Sequence, residues 1–291
     1  MNPWILAIRP KTLPAAIAPV MIGTAMAWGD GVAHFPSACA ALFAALCIQI
    51  GTNLANDYCD FKKGADTSAR LGPVRVTQAG LVSPRAMVAA AVFVFCLAAL
   101  ASVFLVLRAG NAIAIIGIAS ILSGIFYTAG PRPLAYMGLG ELFVLVFFGP
   151  VAVGGTYFVQ AQEIDWAVVA AGLGPGFLSC AILAVNNLRD VEGDAKAGKM
   201  TLAVRFGKIF AAREYLFCIL AAALTPLVVF LITADHELIA AASLTGFMAI
   251  PAVGAVFTTQ GPLLNKVLAQ TGLLLLAYSV LFSAGWVLCS R

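Results

Sequence analysis

The sequence predicts an all-α membrane protein of nine transmembrane helices, arranged as two four-helix units plus one last helix. Three observations carry this expectation. The chain has 291 residues, 62% hydrophobic and only 10% charged, with a mean hydropathy of +0.99. A soluble domain carries about 25% charged residues. Nine segments are apolar over the roughly 20 residues that a membrane helix needs: 13–29, 36–56, 86–107, 111–129, 139–160, 166–188, 212–233, 238–257 and 268–289. Threading them back and forth puts all 17 Lys and Arg residues on one side except Arg108 and Arg291. Basic excess marks cytoplasmic loops. The expected location is therefore the inner (cytoplasmic) membrane, with the N-terminus and long loops cytoplasmic and the C-terminus outside.

Taken in order, residues 2–12 are polar and short, with Arg9 and Lys11 at the entrance of the first segment. Together with Ala25, Met26 and Ala27 this opening resembles a cleavable signal peptide, but cleavage would leave only eight segments. The second segment runs into NLANDYCDFKKGAD, residues 53–66. The fourth leads to YTAGPRPLAYMGLGE, residues 127–141, and the sixth into NNLRDVEGD, residues 186–194. Two long polar loops, 57–84 and 189–210, follow the two acidic clusters, and every other connection is short. Long loops in a compact protein are usually lids or binding loops. Four segments separate the clusters, so both reach the same side in the same orientation, as parallel repeats do in other membrane folds. One domain, residues 1–291, is expected.

Several classes are disfavoured. The basic residues crowd one membrane face and no soluble domain carries them, so nucleic acid is not an expected partner. None of the seven cysteines forms CxxC, which argues against a metal or disulfide framework and for small buried thiols. The two histidines, His34 and His236, map to outer loops, which disfavours haem ligation and a histidine-centred triad.

The chemistry concentrates in the acidic clusters. Ionisable residues at the ends of membrane helices are costly unless they face protein or water. On a helix, residues three or four apart share a face. That spacing joins Asn53 with Asp57, Asp57 with Asp60, Asn186 with Asp190, and Asp190 with Asp194. Each cluster can aim two or three oxygens into one cavity, which suits Mg2+ bridging carboxylates to substrate phosphates. Helix-end ion pairing is the alternative for either cluster taken singly. Asp66 is either a further ligand or a loop residue. Glu192 and Glu214 read as solvated. Arg189, Lys199, Arg205 and Arg132 are the cations beside the acids, and Arg matches phosphate bidentately. Tyr127 is either an interface anchor or a ring face that stabilises a carbocation.

These motifs resemble the UbiA-type intramembrane prenyltransferase superfamily over nearly the whole chain. NDYCDFKKGAD is similar to its first Asp-rich motif, and NNLRDVEGDAKAGKMTLAVRFG to its second. The resemblance implies a nine-helix bundle opening laterally into lipid. It implies Mg2+-dependent binding of a polyprenyl diphosphate, ionisation to an allylic cation, and alkylation of an aromatic acid acceptor. Metal ligands would be Asp57, Asp60, Asp66, Asp190 and Asp194. Asn53, Asn56, Asn186, Asn187, Arg132, Arg189, Lys199, Arg205 and Lys11 would contact substrate, and Tyr127 would assist catalysis. Where a common first motif has its third Asp, this chain has Gly64 and the next acid is Asp66, which leaves that ligand open. The NxxND variant and the opening WILAIRPKTLPAAIAPVMIGTA look most like the 1,4-dihydroxy-2-naphthoate polyprenyltransferases of menaquinone synthesis. Rival readings are prenylation of 4-hydroxybenzoate or homogentisate, and a transporter with an acidic relay. A CDP-alcohol phosphotransferase is disfavoured because its single continuous signature is absent. Oligomeric state is not legible.

Overall fold

The computed structural model describes residues 2–65 and 71–290. Asp66, Arg70 and Arg291, which figured in the sequence reading, lie outside the described residues. The elements are α1 (Pro3–Ile8), α2 (Pro14–Gly29), α3 (Phe35–Lys62), α4 (Pro84–Ala109), α5 (Asn111–Phe126), α6 (Gly140–Phe147) and α7 (Pro150–Ala161). They continue as α8 (Trp166–Ala171), α9 (Leu173–Lys196), α10 (Leu202–Phe206), α11 (Lys208–Thr233), α12 (Leu244–Met248), α13 (Ile250–Thr258) and α14 (Leu264–Cys289). No strand occurs among the described residues.

Each of the nine apolar segments is helical, but not all are single spans. Among the described residues, seven helical stretches are long and apolar enough to cross a membrane. An eighth forms if α1 and the turn Pro10–Thr12 are joined to α2 across a 49° bend. The bend falls at Leu13, directly before Pro14, and within the first stretch Arg9 ends α1 in a left-handed conformation (φ 54°). Helix α5, with 16 residues, is shorter than a span requires.

Two spans are broken at glycine. The α6–α7 stretch breaks at Gly149 before Pro150, and α8–α9 breaks at Gly172. The two breaks abut each other. A Cβ on Gly149 would sit 2.7 Å from the Gly172 carbonyl and 3.1 Å from the Gly176 Cα. Only glycine allows backbones this close. Small-residue contacts of this kind are how membrane helices pack without a hydrophobic driving force.

Large apolar side chains point outward along the bundle, among them Leu107, Trp166, Leu231 and Phe247, all at least 72% exposed. Apolar surface on this scale fits lipid, not water. The interior core joins α2, α9, α11 and α14 through Ile22, Met26, Leu178, Tyr215, Tyr278 and Phe282. The two most extensive helix pairings are α3 with α4 and α9 with α11, which occupy corresponding places in the two halves. Helix α14 closes the bundle by packing on α2 and α9.

The first acidic cluster is helical as far as Lys62 and the second throughout, because α3 and α9 run on past their apolar stretches to Lys62 and Lys196. At the opposite end of the bundle, Asp30 accepts hydrogen bonds from the Tyr157 hydroxyl (2.7 Å) and the Trp286 indole (3.2 Å). His236 stacks on Trp286 at 3.8 Å there, and His34 bonds Ser37. Both histidines therefore serve packing. The cysteines are all free. Cys47, Cys180 and Cys218 are buried as expected, but Cys39 and Cys96 are exposed on the outer faces of their helices.

Candidate active site

The first cluster sits in the last three turns of α3. Asn53, Asp57 and Asp60 are all buried, at 4%, 1% and 2% exposure. Asn53 donates to the Ile8 carbonyl and the Thr12 hydroxyl, both at 2.9 Å, and so ties the N-terminal segment to α3. Asn56 accepts from the Thr128 hydroxyl and binds the loop after α5. Asp57 accepts from the backbone N–H of Val76 (3.1 Å) and Thr77 (2.9 Å), one on each carboxylate oxygen. Its charge thus pins the polar loop that follows the cluster back onto α3.

Asp60 is the junction of the two halves. One oxygen meets Arg75 and Lys199, each at 3.0 Å. The other accepts from the Tyr136 hydroxyl at 3.3 Å. Arg75 comes from the first long loop, Lys199 from the second, and Tyr136 from the connection between α5 and α6. The Lys63 and Lys199 ammonium groups lie 4.6 and 5.1 Å from the centre of the Tyr136 ring, within cation–π range. Lys63 also donates to the Thr128 carbonyl at 2.7 Å.

The second cluster lies on the last turns of α9. Arg189 is buried and grips Asp190 with both arms of its guanidinium, at 2.8 and 2.6 Å. It also donates to Asn186 and to Asn265 of α14, each at 2.8 Å. Asn265 in turn donates to the Leu71 carbonyl at 3.3 Å. A continuous chain therefore runs from the first long loop through α14 to Asp190. Asn187 donates to Glu141 at 2.8 Å. Asp194 is half-buried, one turn beyond Asp190.

The loop after α9 is stitched to the 134–139 turn. Met200 N–H donates to the Tyr136 carbonyl at 3.2 Å. Arg205, although exposed, turns to the carbonyls of Met200 (3.0 Å) and Met137 (2.8 Å) and not to the acids. Gly138 (φ 69°) permits this closure, since a Cβ there would meet the Met200 carbonyl at 3.0 Å. Arg132 and Lys11 are both exposed. Glu192 is exposed and paired with Lys208, while Glu214 is half-buried on α11 instead of solvated.

Tyr127 caps α5, with its hydroxyl placed where a methyl on Gly140 would come within 3.1 Å. The phenol thus stands beside the start of α6.

The arrangement bears on a metal. Among the described residues, no three His, Cys, Asp or Glu side chains converge into a cage. An oxygen-only donor set without a closed cage still fits magnesium, which keeps several waters and takes one or two carboxylates plus substrate phosphates. Two cations already crowd one oxygen of Asp60, so that position is suited to positive charge.

The UbiA prenyltransferase family model matches residues 16–262 of this chain. The chain belongs to the UbiA prenyltransferase family. It is 45% identical over 204 residues to the 1,4-dihydroxy-2-naphthoate octaprenyltransferase of Mycobacterium tuberculosis, covering 70% of each chain. It is 38% identical to the enzyme of that name from Haemophilus influenzae, covering 97% of this chain and 94% of the other. A UbiA homologue from Archaeoglobus fulgidus, solved bound to DMAPP and Mg2+, shares the fold with a TM-score of 0.71 at 15% identity, covering 98% of both chains.

Sequence reasoning missed four residues of this candidate site: Arg75, Tyr136, Lys63 and Asn265. Tyr136 lies in the 127–141 segment already marked for Tyr127. Arg75 and Asn265 carry no local signal, because only packing brings them to the acids.

Proposed function

We propose that this membrane protein transfers a polyprenyl group from polyprenyl diphosphate to 1,4-dihydroxy-2-naphthoate, releasing diphosphate and CO2 and giving demethylmenaquinol. The observation that carries the reading is the meeting of both halves at Asp60, in a chain whose relatives are named for this reaction. A single domain does this, with the bundle crossing nine times, α5 included.

In this reading Asp60, Asp190 and Asp194 hold Mg2+ with the diphosphate, and Asp66 adds to them. Bound magnesium supplies positive charge to the leaving diphosphate. Lys199 and Arg75 stand where they can shift from Asp60 to the diphosphate as negative charge builds on it. Asp57 belongs to the same ligand set, and its two oxygens also hold the loop backbone at Val76 and Thr77 against α3. Asn53 and Asn56 hold neighbouring segments in place, and Arg205 braces the 134–139 turn. Arg189 orients Asp190. The Tyr127 ring faces the allylic cation. Lys11 and Arg132, exposed at the same end, attract the anionic substrates.

Purified protein supplied with magnesium, a polyprenyl diphosphate and candidate acceptors tests the activity. Demethylmenaquinol and CO2 should form. Preferential prenylation of 4-hydroxybenzoate or homogentisate would reassign the acceptor.

The orientation is part of the proposal: both long loops in the cytoplasm, the C-terminus outside. The described loops after α3, α5 and α9 bond to one another, and those after α2, α4 and α7 meet at the other end. Topology reporters after Lys63, after Lys199 and at the C-terminus should read inside, inside and outside. Opposite readings for the first two would dismantle the shared site.

A further inference from the structure

One half-buried carboxylate near the site has no task in the mechanism above. Glu141 opens α6, and its side chain accepts a hydrogen bond from Asn187 at 2.8 Å. Asn187 precedes Asp190 by three residues, roughly 4.5 Å along the helix axis, on the side toward the middle of the bundle. The Cys180 thiol contacts the Glu141 backbone carbonyl at 3.2 Å, which fixes the start of α6 against α9. The Tyr127 hydroxyl lies beside Gly140, and Glu141 acts electrostatically on that phenol. Glu141 therefore stands one layer inside the metal-binding acids and next to the residue assigned to the cation. With the diphosphate at the acids, the reacting prenyl carbon lies in that layer, and the acceptor ring must meet it there.

We infer that Glu141 is the acceptor-side base, taking the proton of the ring hydroxyl as the new carbon–carbon bond forms. This rests on the dihydroxynaphthoate reading. The carboxylate-bearing ring carbon attacks the allylic carbon, and the carbon–oxygen bond breaks with its electron pair going to diphosphate. The proton of the adjacent hydroxyl moves to Glu141, leaving a β-keto carboxylate. Loss of CO2 returns the electron pair to the ring as an enolate, and Glu141 gives its proton back to that oxygen. No oxidant or further reactant is needed. Asn187 keeps the carboxylate in place, as a positioning residue. The other ionisable groups within electrostatic reach of Glu141 are Tyr127, Cys180 and Glu214 of α11.

The test is Glu141→Gln in purified protein, measured with a prenyl thiodiphosphate, with dihydroxynaphthoate, and with a ring-fluorinated dihydroxynaphthoate whose hydroxyl ionises at lower pH. Thiodiphosphate binding should stay within about twofold, and kcat/KM for the normal acceptor should fall ~100-fold. The fluorinated acceptor should recover about tenfold of that loss in the variant and gain nothing in the native protein, since it arrives closer to its ionised form. Native acceptor kinetics, an equal loss with both acceptors, or a matching loss of thiodiphosphate binding would each overturn the assignment. So would the same loss and rescue in Glu214→Gln, which would move the base to α11. If the glutamine form does not fold, Glu141→Asp keeps the charge but sets it back by one methylene, and the same acceptor ratio decides. If the native protein ignores dihydroxynaphthoate, the acceptor reading fails instead. The substitutions are then judged on whichever phenol is turned over.

Discussion

Asp60→Asn is expected to lower turnover ~1,000-fold or more, the scale at which a lost electrostatic contact to a developing charge is felt. The substitution is isosteric, so the loss comes from charge. Asp60 receives one group from each long loop and one from the connection between α5 and α6. In the asparagine form the Arg75 and Lys199 cations face a neutral amide, and the layer that should admit a metal carries one more unit of positive charge. EDTA should abolish turnover in the native protein and added magnesium should restore it. Lys199→Gln should lower kcat by a smaller factor, because Arg75 remains. Near-native turnover in Asp60→Asn together with insensitivity to EDTA would remove the metal reading altogether.

Arg189→Ala should cost stability first and activity second. Arg189 is 3% exposed, and its partner Asp190 is only slightly more open. Breaking a buried pair by deleting one partner costs about 3–5 kcal/mol, because the other charge is left uncompensated. Here Asn186 and Asn265 lose their donor as well. A fall in the unfolding midpoint of several degrees is expected, with a lower apparent affinity for magnesium, since Asp190 loses its orientation. Arg189→Lys should recover only part of either loss, because a point charge cannot reproduce the planar fork. A variant that keeps its thermal stability but binds prenyl diphosphate weakly would instead return Arg189 to direct substrate contact.

Much of this protein is determined locally and is readable in order along the chain. Apolar runs of about 20 residues need their backbone groups satisfied inside lipid, and a helix does that within the segment. All nine segments are helical for that reason. That Lys199 comes to the same end as Asp60 was also legible, since four intervening segments return the chain there. Tertiary structure decided the rest. The breaks at Gly149 and Gly172 depend on one backbone crossing another, which no window of sequence reveals. Asp57 and Asp60, three residues apart on one helix face, take different partners because the loop at Val76 and Thr77 reaches one and Arg75 and Lys199 reach the other. Arg205 reads as a phosphate ligand in its motif and bonds loop carbonyls in the fold. Asn265 joins Arg189 across 76 residues of chain. Hydropathy and helical spacing are properties of a segment, whereas the partner of a polar side chain is chosen by whichever other segments pack within about 3 Å of it.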